Sequence, residues 1–128
     1  MDSLVIDKDI QLIGCVEQNP NGGYQFLNTI IGQIFVKNNA RVCMQNLWIQ
    51  CNRERVNIIN CSDGARLQMN HIVIENSMQY GEIYPIIYGE NRSEIFMDRV
   101  EVIQNKSIDT RMYVNNCNVE LHNSAFFY

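Results

Sequence analysis

Apolar residues fall into the same pattern four times along the chain, at residues 40–49, 65–74, 93–102 and 117–126. Aligned without gaps, these segments put Val42, Leu67, Ile95 and Val119 in one column and Met44, Met69, Met97 and Leu121 in the next. Two polar residues follow, then Leu47, Ile72, Val100 and Ser124, and finally Ile49, Ile74, Val102 and Phe126. The segments start 25, 28 and 24 residues apart, a period that belongs to solenoids and arrays rather than to ordinary globules.

Within one unit, Val42 and Met44 alternate with Cys43, and Leu47 and Ile49 alternate around Trp48, which is the period of a strand. Between the two halves the apolar positions jump from 44 to 47. An unbroken strand would carry Leu47 and Ile49 to the opposite face, because a slip of one residue inverts the pattern. Gln45-Asn46 therefore predicts a two-residue corner, which recurs at Asn70-His71, Asp98-Arg99 and His122-Asn123, each pair containing Asn or Asp. A third apolar stretch precedes each unit, at residues 33–36, 56–59, 84–87 and 111–114.

Three short strands per repeat predict an all-β fold, a right-handed parallel β-helix solenoid of four to five coils. The regular six-residue motif of the left-handed form is absent. Residues 30–128 supply four coils of a single domain. Residues 1–29 supply an N-terminal cap at 3–7, a weak first coil at 9–14 and a protruding loop at 17–23, where Asn19-Pro20-Asn21-Gly22-Gly23 gathers chain breakers. A second excursion is expected at 77–82, and both insertions are expected between coils. The 17 Asn residues suit such a fold, since Asn tolerates the left-handed backbone region that tight corners use. One coil alone buries too little to fold, so stability is a sum of coil-to-coil interfaces. Because the sequence stops inside a strand of the last repeat, continuation in a longer protein or self-association through coil ends is expected.

Composition narrows the function classes. A net charge of −4 with ten scattered Lys and Arg argues against nucleic acid, whose phosphates require clustered basic side chains. No apolar run approaches the length of a membrane span, and the first residues lack a secretory pattern, so a cytoplasmic protein with no membrane partner is expected. The five cysteines are odd in number and form no CxxC pair, which points to free thiols rather than a disulfide framework or zinc site.

The alternating columns and Asn-containing corners resemble the pectate-lyase-like right-handed β-helix superfamily over roughly residues 30–128. That resemblance implies either polysaccharide chemistry or one of the family's many non-catalytic relatives. The family's enzymes use carboxylate ligands for calcium with a basic residue, or an Asp trio with His and Arg. The chain has no Asp-Asp, His-Gly or Arg-x-Lys, and the carboxylates near corners or outer columns, Glu75, Glu94, Asp98, Glu101 and Glu120, do not reproduce either set. No catalytic residue, metal ligand or cofactor is assigned. His71 and His122 read as solvent-facing corner residues and the Met column as core. Arg66 beside Glu94 reads as a surface ion pair.

Trp48 is the most informative outward residue. The alternation places it beside Val73 and Glu101 in one column, with Cys43 and Phe96 across the corner, so these five are the candidate partner-binding residues. An exposed apolar patch of this kind is covered by another part of the chain, bound by a protein, or used to stack sugars. The leading expectation is a non-catalytic module that recognises a protein partner through its outer sheet face and inter-coil loops. The alternatives are a carbohydrate-binding or polysaccharide-cleaving β-helix protein and a structural spacer.

Overall fold

The computed structural model describes residues 3–78, 81–104 and 112–127, and its regular elements are all β-strands. The first coil contains β1 (Ser3–Ile6), β2 (Ile10–Ile13), β3 (Val16–Gln18), β4 (Tyr24–Phe26) and β5 (Thr29–Ile31). β6 (Gln33–Val36) and β7 (Arg41–Cys51) form the second, β8 (Ile59–Cys61) and β9 (Arg66–Asn76) the third, and β10 (Ile87–Gln104) traces the whole fourth as one strand. β11 (Met112–His122) and β12 (Ala125–Phe127) follow. The fold is a parallel β-solenoid of about three full turns, β6 to β10, flanked by shorter strands. Four to five coils with a weak first one were expected; the full turns number about three, and the first coil is built from strands of three or four residues interrupted by an insertion.

Three parallel ladders run along the stack. The first joins β1, β6, β8 and the starts of β10 and β11. The second joins β2, the first halves of β7 and β9, the middle of β10 and the second half of β11. The third joins β5, the second halves of β7 and β9, the end of β10 and β12. The register is that of the sequence columns: Val42 pairs with Leu67, Leu67 with Ile95 and Ile95 with Val119, while Met44, Met69, Met97 and Leu121 lie side by side. Met44, Met69 and Met97 are fully buried, as are Ile49, Ile72 and Ile74.

Each corner between the second and third ladders turns on a single residue. Gln45, Asn70, Asp98 and His122 remain in the ladder, and only the following residue is left-handed: Asn46 (φ 59°), His71 (54°), Arg99 (54°) and Asn123 (50°). That one residue absorbs the change of face that the two-residue gap in the apolar pattern signalled. The first-to-second corners use consecutive left-handed residues in three coils, Asn38-Asn39, Asp63-Gly64 and Asn91-Arg92. Here the Asn39 N–H donates to the Asp63 carbonyl and the Gly64 N–H to the Asn91 carbonyl, both at 2.9 Å. A Cβ on Gly64 would strike the Asn39 side-chain oxygen, so that position combines a left-handed backbone with close approach.

Several expected boundaries move. The third-coil strand of the first ladder starts at Ile59 rather than 56, and the fourth at Ile87 rather than 84. Asn57 and Pro85 explain the delay. Pro85 has no N–H to give to a ladder, and Asn57 uses its side-chain amide to bond the Pro85 carbonyl while its own carbonyl accepts from Gln33 and Asn60. β11 begins at Met112; Arg111 lies outside the described residues, as do 79 and 80 of the second excursion. Residues 3–6, expected as a cap, form a parallel rung beside β6 instead. Residues 16–26, expected to contain a protruding loop between coils, form an antiparallel hairpin, β3–β4. It interrupts the first coil between β2 and β5, at the height of the left-handed corner.

Two stability outcomes follow from burial and corner geometry. Met69→Ala removes a fully buried side chain and is expected to cost about 2–5 kcal/mol, read as a lower urea midpoint with unchanged slope. Arg99→Asn keeps an exposed position but replaces a poor left-handed residue with a tolerant one, and the midpoint is expected to rise by the equivalent of about 0.5–1 kcal/mol.

Candidate functional site

The outer face of the second ladder forms a groove of about 1120 Å³ that runs across the strands. Two outward columns make its floor. One continues from Arg41 through Arg66 and Glu94 to Asn118, and the other from Gln11 through Cys43, Gln68 and Phe96 to Glu120. Strand pairing stacks these positions about 4.8 Å apart, so the groove reads along the solenoid axis, one residue per coil in each column. Phe96 and Cys43 are half-buried, whereas Arg41, Gln68 and Glu120 are exposed.

Charges in the groove are partly paired. Arg66 Nε lies 2.8 Å from Glu94 Oε2, the surface ion pair read from the sequence, with both side chains about half exposed; such a pair adds little stability. Asp9 Oδ1 accepts the Arg41 backbone N–H at 2.8 Å. Among the described residues no carboxylate pairs with the Arg41 guanidinium. Glu120 Oε1 meets His122 Nε2 at 2.8 Å, and the His122 ring leans on Phe96 with centroids 5.3 Å apart.

The five candidate residues do not form one patch. Cys43 and Phe96 line the groove; Trp48, Val73 and Glu101 form a register column on the third ladder. The left-handed corner at Asn46, His71 and Arg99 turns the chain between the two sets. Trp48 is also partly covered. The Phe26 ring of β4 packs edge-on to it at 6.4 Å and lies 4.9 Å from the His71 ring, while Tyr24 meets His71 edge-on at 5.4 Å. Trp48 Nε1 is buried with no hydrogen-bond partner among the described residues, so the indole serves here as an apolar seat. His71 was read as solvent-facing; it instead sits half-buried beneath two aromatic rings, with Nδ1 3.0 Å from Asn46 Oδ1 on the neighbouring coil.

The base of the hairpin explains how it reaches this seat. The Gly14 N–H donates to the Gln45 carbonyl, and a Cβ at Gly14 would collide with the Asn46 carbonyl oxygen and the Leu47 side chain. The Cys15 N–H donates to Asn28 Oδ1, and the Leu27 N–H to the Cys15 carbonyl. These bonds aim β4 back over the corner. The alternation of Tyr24 and Phe26 was the available signal for a strand, but nothing local specified its target on Trp48 and His71.

The five cysteines form no disulfide, and Cys51 and Cys61 are buried. Burial pushes the Cys61 thiol up to about 12, against the lowering effect of its hydrogen bond with Ser93, which keeps it protonated and unreactive. Among the described residues, no cluster of three His, Cys, Asp or Glu side chains is arranged to hold a metal ion, and no helix is long and apolar enough to cross a membrane. No protein-family model, curated sequence or solved structure matches the chain.

His71 gives the hairpin a pH dependence. Burial, reinforced by repulsion from Arg99 and opposed by Glu101, holds the imidazole below its ordinary value of 6.5. The docked state therefore favours the neutral ring: its contribution is complete above pH 6.5 and is lost as pH falls through the depressed value. Trp48 is the only tryptophan, so its fluorescence should shift to the red on acidification, while His71→Asn, which suits the left-handed corner, should flatten that response.

Proposed function

We propose that the chain is a non-catalytic recognition module that binds a protein partner through the groove on its second ladder. The observation that carries this reading is the groove itself, in which a half-buried Phe96 and Cys43 lie among Arg41, Arg66 and Gln68 on a rigid, hydrogen-bonded floor. Aromatic and Arg side chains are the residue types that dominate binding energy at protein interfaces. A floor of paired strands holds them in place, so little ordering cost accompanies association.

Catalysis is a weaker reading of the same face. Glu94 is engaged by Arg66 and Glu120 by His122, and a glycosidase pair requires one carboxylic acid held neutral in an apolar setting. The proposal places the chain in form among the non-catalytic members of the pectate-lyase-like superfamily, supported by its parallel coils and single-residue corners. Of the candidate partner-binding residues, Cys43 and Phe96 are proposed to touch the partner. Trp48 and Val73 are proposed to act indirectly, by seating the hairpin that borders the corner.

A carbohydrate reading draws on another face. On the first ladder, Phe35, Asn60, Tyr88 and Tyr113 form an outward column, and the last two rings stack at 5.5 Å with 14° between planes. The two readings separate by mutation. Partners retained by the immobilised chain should be lost on Phe96→Ser and on Arg66→Glu, each by at least about tenfold in affinity, or about 1.4 kcal/mol, and kept on Tyr113→Ala. The reverse order, with binding across a glycan panel that depends on Tyr113, would reject the groove in favour of sugar recognition.

A further inference from the structure

The charges along the groove are ordered by coil, and that order selects a ligand. From the first coil onward the outward side chains run Asp9, Arg41, Arg66, Glu94 and, in the second column, Glu120. Arg41 and Arg66 are register neighbours, and like charges directly opposite each other on a sheet are unfavourable. Glu94 relieves Arg66 at 2.8 Å. Asp9 spends its bonded oxygen on the Arg41 backbone, and the exposed Arg41 guanidinium, with no carboxylate partner among the described residues, is a forked cation suited to a carboxylate. At the other end Glu120 gives Oε1 to His122 at 2.8 Å and, with about two-thirds of its side chain exposed, presents its second oxygen to solvent. Phe96 lies between these ends, one face supported by His122.

We infer, building on the recognition role proposed above, that the groove takes an extended segment of a partner protein carrying an acidic, an apolar and a basic side chain at every second position. The spacing follows from the ladder. Arg41 and Glu120 are three coils apart, about 14 Å along the axis at ~4.8 Å per coil. An extended chain advances ~3.4 Å per residue and shows residues i, i+2 and i+4 on one face, so its first and last side chains span about the same distance. The acid meets Arg41, the apolar residue lies over Cys43 and Phe96, and the base meets Glu120. A polyanion does not fit, because a uniform row of negative charge would confront Glu94 and Glu120 over half its length.

Panning a displayed heptapeptide library on the full chain tests this. Enriched peptides should carry Asp or Glu, an aliphatic or aromatic residue two positions on, and Lys or Arg two positions after that. Arg41→Glu should weaken a selected peptide at least tenfold and, on renewed panning, exchange the acid for Lys or Arg. Glu120→Lys should invert the other end. Both positions are exposed, so both variants should melt with the wild-type protein. Peptides that ignore both charge inversions but are lost on Phe96→Ser would overturn the charge pattern and leave the groove as the binding face. Peptides indifferent to all three substitutions would overturn the groove as well. Binding of heparin or polygalacturonate that disappears on Arg41→Glu would overturn the inference in favour of a polyanion.

Discussion

Everything in this solenoid depends on keeping apolar side chains pointing inward while the chain turns around its axis. A strand changes face at every residue, so a corner that consumes an even or odd number of residues decides where all later side chains point. The left-handed residue at Asn46, His71, Arg99 and Asn123 makes the required change in one position. The preceding residue stays hydrogen-bonded in the second ladder, and Leu47, Ile72 and Val100 return to the interior. The cost is local backbone strain, about 1–2 kcal/mol for a residue with a Cβ. It is least for Asn, which fills two of the four corners; His71 and Arg99 occupy the others.

That constraint also fixes where the fold can accept an insertion. A corner is the one place where added residues do not shift the register of a ladder, and β3–β4 enters the first coil there. Its base is tied to the corner of the next coil through Gly14 and Gln45, so the hairpin has a direction, and Phe26 and Tyr24 come down on Trp48 and His71. An outward tryptophan is thereby half-buried, with no hydrogen bond to its indole nitrogen from the described residues. The hydrophobic effect needs no such bond, yet the buried N–H lowers the net gain. A hairpin held by a few rings and a histidine is consequently among the less firmly attached parts of the structure.

The inner columns were legible because they obey two local rules, alternation within a strand and a fixed jump at a corner, and the register follows them residue by residue. The outward columns were legible for the same reason, including the juxtaposition of Arg66 and Glu94. Legibility failed where local and long-range signals separate. Ile58 and Ile59 are both fully buried, so alternation there does not say which begins a strand, and the answer depends on Asn57 bonding Pro85 of another coil. Residues 17–23 carry turn signals that fit a loop and a hairpin tip equally. The landing of Phe26 on Trp48 is a contact that no local pattern encodes, and it sets Trp48, under an aromatic ring, apart from Cys43 and Phe96, which line the groove.

A solenoid separates the residues that hold it together from those free to recognise something else more cleanly than a globule does. Every inner position is constrained by the residues above and below it in the same column, as in Met44, Met69 and Met97. An outward position answers only to its immediate neighbours on a solvated face, where pair energies are small. The second ladder uses that freedom unevenly: its inner columns repeat, while its outer ones pass from Arg to Glu and from Cys through Gln to Phe within three coils. Burial does not require such a sequence of side chains, and the Arg41–Arg66 adjacency works slightly against the sheet. What the arrangement provides is a rigid surface with a direction, Arg41 and Arg66 in its middle coils and Glu94 and Glu120 beyond them, on which a ligand of mixed charge has one favourable orientation.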